Sequence, residues 1–176
     1  MAGANLTRLA EATLDLLLPA ITAMTAKESN VARVRASFEK QKIMNLLGAT
    51  LTTVGQGHVE VSLPFREELT QQHGFLHAGA ITTILDSACG YAALSVMPEG
   101  AGVLSIEFKT NLLAPAKGSR FIARGKVVRA GRNIVVCSGD VVAIQAVSDG
   151  KGEQEVIVAT MLATMLVVQG RAEVVD

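Results

Sequence analysis

From Gly102 onward the chain reads almost entirely as strand, and ahead of that point it offers one long apolar helix for those strands to cover. The segments "GVLSIEFKTNLL", "SRFIARGKVVR", "NIVVCSGDVVAIQAV" and "EVIVATMLATMLVV" are rich in Val and Ile and are divided by "APAKG", "AGR" and "SDGKGEQ". Linkers this short cannot hold the crossover that parallel neighbours require, so consecutive strands are expected to pair antiparallel. Upstream, "GHVEVSLP" alternates, with Val59, Val61 and Leu63 on one face and His58, Glu60 and Ser62 on the other. Such a sheet must bury an apolar face, and the helix within "QQHGFLHAGAITTILDSACGYAAL" is the element suited to fill it. The expected class is α+β: an antiparallel sheet of about five strands wrapped around one long central helix, with extra helices at the N-terminus.

At 176 residues the chain suits one domain with a real core. The reading divides it into an N-terminal helical extension over 1–30 and the main domain over 31–176. In "MAGANLTRLAEATLDLLLPAITAM" the charges Arg8, Glu11 and Asp15 and the break at Pro19 leave no apolar run near the ~20 residues that span a bilayer. An amphipathic helix is expected there, with Leu6, Leu9, Thr13, Leu17, Ala20 and Met24 on one stripe. A second helix is expected from about Val31 to Leu47, with Asn30 as N-cap and Gly48 as stop. Sixteen basic and sixteen acidic side chains give a net charge of +0, so no global field steers the protein to nucleic acid or a membrane. Cys89 and Cys137 lie in apolar stretches and read as buried free thiols, which fits a cytoplasmic location.

Against this background Asp86 stands out, a carboxylate in the middle of the apolar helix. Taking an ionised group out of water costs several kcal/mol unless something compensates. Three or four residues away lie Thr82, Thr83, Cys89 and Gly90, so Asp86 is expected on a stripe of small residues where other backbone can come close. Ile81, Ile84, Leu85, Tyr91 and Leu94 are left to face the core.

The turn before this helix carries a second feature. Gly74 and Gly79 flank "FLHA", and a helix starting near His77 leaves its first N–H groups unpaired at the positive end of the helix dipole. Those donors could hold a developing oxyanion; equally, the glycines could serve only the turn and His77 only as a cap. His73 and His77 have an i, i+4 spacing, but Gly74 and the intervening loop argue against a shared face and no third ligand is apparent, so no metal is expected.

The stretch "QQHGFLHAGAITTILDSACGYAA", followed by "LSIEFKTNLLAPAKG" and "VVRAGRN", resembles the hotdog-fold acyl-CoA thioesterases of the phenylacetate-degradation (PaaI) type, over roughly Phe38 to Val168. The resemblance implies a thioester hydrolase in which Asp86 is general base or nucleophile. Gln71 would replace the amide residue that bonds the thioester carbonyl, and His77 would be the motif histidine. Ala78 stands at the first Gly of the motif, and Ser105 at a hydroxyl that helps place the water. The CoA thioester would be the substrate, with no further cofactor.

The residues themselves agree: hydrolysis needs a base and donors aimed at the carbonyl oxygen, and Asp86 and its helix start offer both. Arg132 and Asn133 in "RAGRN", with Lys117 and Arg120 near the previous turn, are candidates for the CoA phosphates. The competing reading is a non-catalytic module that binds an acyl-CoA as sensor or carrier partner, although a pure binder has no need of a buried carboxylate. Finally, Ala78 and Asp86 are eight residues apart, about 12 Å along a helix, so one thioester cannot touch both. The expectation is a homodimer that joins the helix start of one chain to Asp86 of another, and that could pair again into a tetramer.

Overall fold

The computed structural model describes residues 28–147 and 152–174. The amphipathic stripe from Leu6 to Met24 therefore lies outside the described residues. Residues 28–40 are helical (α1), followed after a break by α2 (Lys42–Leu47). The break is at Gln41, whose φ of −74° and ψ of 97° are extended, so the single helix expected from Val31 to Leu47 is two. Asn30 lies inside α1, not at its start. Gly48 does end α2, in the left-handed conformation that favours glycine (φ 73°), with its N–H on the Met44 and Asn45 carbonyls.

Six strands follow: β1 (Thr50–Gly55), β2 (His58–Pro64), β3 (Gly102–Leu112), β4 (Arg120–Ala130), β5 (Ile134–Ala146) and β6 (Glu153–Val168). The central helix α3 (Ala78–Leu94) lies between β2 and β3 in sequence. All pairings are antiparallel, in the order β1-β2-β4-β5-β6-β3. This departs from the expectation for consecutive strands: β3 pairs with β6, not with β4. The linker between Leu112 and Arg120 passes over the intervening strand ends, hydrogen-bonded to the Val158 carbonyl from Leu113 and to the Ile144 carbonyl from Ser119. Seven residues, 113–119, reach up to about 23 Å when extended, enough to clear two strands about 5 Å apart. Among the described residues no helix is long and apolar enough to cross a membrane.

The sheet curls around α3. Alternate residues of β2, β4, β5 and β6 point inward, among them Val61, Leu63, Phe121, Ala123, Val141 and Met165, all fully buried against Ile84, Leu85 and Ala88 of α3. Two glycines make the close approach possible. Gly125 and Gly139 stand opposite each other on β4 and β5. A Cβ on Gly125 would come within 2.4 Å of the Ala88 carbonyl, and one on Gly139 within 3.0 Å of the Cys89 sulfur. Their bare backbone forms a trough that seats the middle of α3.

Among the described residues, the other side of α3 is covered only over its C-terminal half. Arg33 of α1 donates from its guanidinium to the Leu94, Met97 and Pro98 carbonyls, at 2.7, 2.9 and 2.6 Å, satisfying groups that a helix end leaves unpaired. Phe38 packs on Tyr91 with ring centroids 5.6 Å apart, and Val34 is fully buried. The N-terminal half, from Ala78 through Thr82 and Thr83 to Asp86, is only partly covered by the described residues.

Candidate active site

Asp86 sits where this cover begins. The Ser105 hydroxyl of β3 donates to its Oδ1 at 2.7 Å and also lies 3.3 Å from the Met165 sulfur. Burial raises the Asp86 pKa above its ordinary 3.8, and the Ser105 bond, which favours the charged form, partly counters it. A carboxylate in a dry setting is a stronger proton acceptor than one in water. Asp86 and Ser105 open into a cavity of about 230 Å³. Gly90 lines it as expected for the small-residue side, with Val103 of β3, but Ser37, Lys40 and Gln41 of the α1–α2 region line it too. The Ser87 hydroxyl donates to Gln41 Oε1 at 3.2 Å, and the Ser37 and Tyr91 hydroxyls lie 3.4 Å apart.

Two expectations for α3 change. Cys89 does not share the Asp86 stripe: it is fully buried and faces the sheet at Gly139. Burial pushes its thiol far up and that of Cys137 up to about 12, so neither is a ready nucleophile. Tyr91 is buried in the core as expected, but not on the side opposite Asp86: it packs against α1 and lines the Asp86 cavity.

The start of α3 makes a separate site. Gln71 begins a turn in which Gly74 (φ 79°) donates to its carbonyl, and Gln71 itself donates to the Phe75 carbonyl at 2.9 Å. The side-chain Oε1 of Gln71 accepts from the His73 N–H, which leaves the amide N–H₂ end to point away. His77 is the N-cap of α3: its Nδ1 accepts from the Gly79 N–H at 2.8 Å. A Cβ on Gly79 would crowd that ring at 3.0 Å. The cap occupies the Gly79 donor, and the Ala78 N–H, at the first helical position, has no acceptor within the helix. Gln71 and Ala78 line a second cavity of about 490 Å³, with Phe75, Leu76, Ile81 and Leu112.

One chain thus keeps the candidate base, Asp86, and the candidate carbonyl donors, Gln71 and Ala78, in different cavities. Ser105 is with Asp86, as the resemblance implied, while Gln71, His77 and Ala78 are together at the other end. The phosphate candidates also lie apart from one another. Lys117 follows Ala114–Ala116, which line the larger cavity, whereas Arg132 and Asn133 form the exposed β4–β5 turn next to the end of β6. Arg120 is engaged elsewhere, paired at 2.7 and 3.0 Å with Glu153. Lys40 and Gln41 escaped the sequence reading because they lie about 45 residues from Asp86 and no Gly or Pro marks the helix break that aims them.

Residues 73–147 match the family model of the thioesterase superfamily. A candidate esterase of Saccharolobus solfataricus is 31% identical over 110 residues, 62% of this chain and 78% of that protein. The crystal structure of a thioesterase family protein from Silicibacter pomeroyi is 48% identical and superposes with a TM-score of 0.75, covering 80% of this chain and 99% of that one. The PaaI protein of Escherichia coli, from the phenylacetic acid degradation operon, shares the fold at a TM-score of 0.70, with 18% identity over 82% of this chain and 96% of its own.

Proposed function

Because the chain belongs to the thioesterase superfamily, whose members hydrolyse thioesters, and shares the hotdog fold with PaaI, we propose that it is an acyl-CoA thioesterase with two active sites shared between the chains of a dimer. Asp86 takes a proton from water held with the Ser105 hydroxyl, and the water oxygen attacks the thioester carbon. The Ala78 N–H and the Gln71 amide of the partner chain donate to the carbonyl oxygen as it becomes an oxyanion. Collapse of the adduct breaks the C–S bond, and the proton held by Asp86 passes to the leaving sulfur, giving a carboxylic acid and CoA thiol. The CoA phosphates lie near Lys117, Arg132 or Asn133. His77 contributes by its cap, which fixes the helix start and directs the Ala78 N–H outward.

The observation that carries this reading is the split of base and donors into two cavities on one rigid helix. Asp86 and Ala78 are eight residues apart, or roughly 12 Å, whereas water and oxyanion donors must each be within about 3 Å of the reacting group. Two α3 helices set antiparallel along their uncovered halves bring the Asp86 cavity of one chain to the Ala78 cavity of the other. A non-catalytic acyl-CoA binder would not need a half-buried Asp86 bonded to Ser105 together with such a donor site.

Mixed dimers test it. Gln71→Ala and Asp86→Asn chains, each nearly inactive, are unfolded together in equal amounts and refolded. About half the dimers are then mixed, and each has one site with both lesions and one intact, so thiol release from a panel of acyl-CoA esters recovers to roughly a quarter of wild type. Activity no greater than the parents', with mixed dimers verified by mass, overturns the shared site; a wild-type protein that cleaves no ester of the panel overturns the activity.

A further inference from the structure

The Asp86 cavity has a wall that catalysis does not use. It comes from α1 and the break after it, upstream of the residues that match the family model. Three observations show that this wall is built into the fold. Arg33 ties α1 to the end of α3 through three carbonyls. Phe38 stacks against Tyr91. The extended backbone at Gln41 turns its side chain onto Ser87, whose hydroxyl occupies Oε1 at 3.2 Å and leaves the amide N–H₂ as the unused end. Beside it Lys40, the last residue of α1, supplies the one cation among the described residues that line the cavity. The chemical character of the wall is therefore that of hydrogen-bond donors carrying one positive charge.

A wall of this kind is a poor surface for a plain hydrocarbon tail, because methylene groups laid over the half-buried Gln41 amide displace its water without a replacement. It is a better surface for an acceptor, an anion included, and the Lys40 ammonium offsets the Asp86 carboxylate that lines the same cavity. The two cavities also differ in size, and the larger, apolar one by Ala78 opens beside Lys117, which suits the long CoA arm. The smaller one is left for the acyl group.

We propose that Lys40 and Gln41 are specificity-determining residues that select an acyl group with a carboxylate at its far end, the half-thioester of a dicarboxylic acid. The proposal rests on the thioesterase reading and on the acyl group occupying the Asp86 cavity. The tail runs from the thioester carbon past Asp86, and its carboxylate meets the ammonium of Lys40 and the amide of Gln41. Lys40 is exposed, so its attraction is screened and the selectivity it gives is moderate.

The test uses pairs of esters of equal length: adipoyl-CoA with hexanoyl-CoA, and suberoyl-CoA with octanoyl-CoA. The wild-type kcat/KM is expected to favour the carboxylate-ended member of at least one pair by about tenfold. Lys40→Met is expected to bring that ratio near one, mostly through KM of the carboxylate ester, and Lys40→Arg to keep most of it. Melting temperatures of all variants are compared with wild type. A wild-type ratio at or below one for both pairs overturns the proposal, as does a Lys40→Met enzyme that keeps the preference. A Lys40→Met loss that is equal for both members of a pair also overturns it, since that result places the cation on the CoA phosphates. In each of these outcomes the protein still hydrolyses thioesters; if no ester is cleaved, it is the thioesterase reading that fails.

Discussion

At the scale of single residues, Asp86 trades stability for reactivity. Its pKa is raised in the folded state, so folding favours the protonated form; the resulting penalty is absent below the unfolded value of 3.8 and grows as pH rises through the folded value. Asp86→Asn is accordingly expected to melt higher than wild type at pH 7, with the gain disappearing as pH falls below about 4. The same substitution should lower kcat by about 10²–10⁴, the usual share of a general base. A variant that melts lower at neutral pH, or turns over at the wild-type rate, would contradict the assignment. Ser105→Ala removes the bond that favours the carboxylate, so the acidic limb of the rate profile should move to higher pH. An unmoved limb would show that Ser105 does not tune the base. Asp86 was legible in the sequence because a carboxylate among Ile, Leu and Ala needs a reason. Gln41 and Lys40 were not, since a polar residue in an amphipathic helix looks like any solvated position until tertiary packing shows what it faces.

At the scale of elements, α3 is held by shape more than by sequence pattern. Its apolar composition predicted a central helix, but not that two strands would approach it at bare backbone. Gly125→Ala should cost about 1–3 kcal/mol by overpacking, because the new Cβ meets the backbone of Ala88, which cannot swing aside. The displaced helix carries Asp86, two residues away, relative to Ser105, so kcat should fall with stability. Gly90→Ala is the control for stability, since a Cβ there meets nothing within 4 Å in the chain, although it enters the Asp86 cavity and so is not compared for rate. Equal melting temperatures for the two variants would show that the trough does not set the position of α3. The alternation that revealed β2 failed for β1, where "TLTTVG" carries hydroxyls on both faces and is only weakly patterned in burial. Strand order failed for a different reason. Linker length limits how far a chain can reach, but not which strand it reaches, and the pairing of β3 with β6 is decided by burial over the whole sheet.

At the scale of the whole molecule, the two sheet edges are unlike. β1 ends one side with threonines, whereas β3 ends the other with Ile106 and Leu112 at 53% and 58% exposed. A long apolar edge next to the uncovered half of α3 is the surface that the proposed dimer would close. Activity per chain should therefore be constant at high concentration and fall on dilution through the dimer dissociation range, in step with mass measured by light scattering. Constant activity in a demonstrably monomeric sample would disprove the shared site. Before a partner arrives, however, the same edge has a row of amides and carbonyls with no mate, which any extended apolar segment could engage. The newly made chain is then in a race between correct pairing and precipitation. A charged substitution such as Ile106→Lys would slow both outcomes together, giving a cleaner, better-behaved protein that has lost its chemistry.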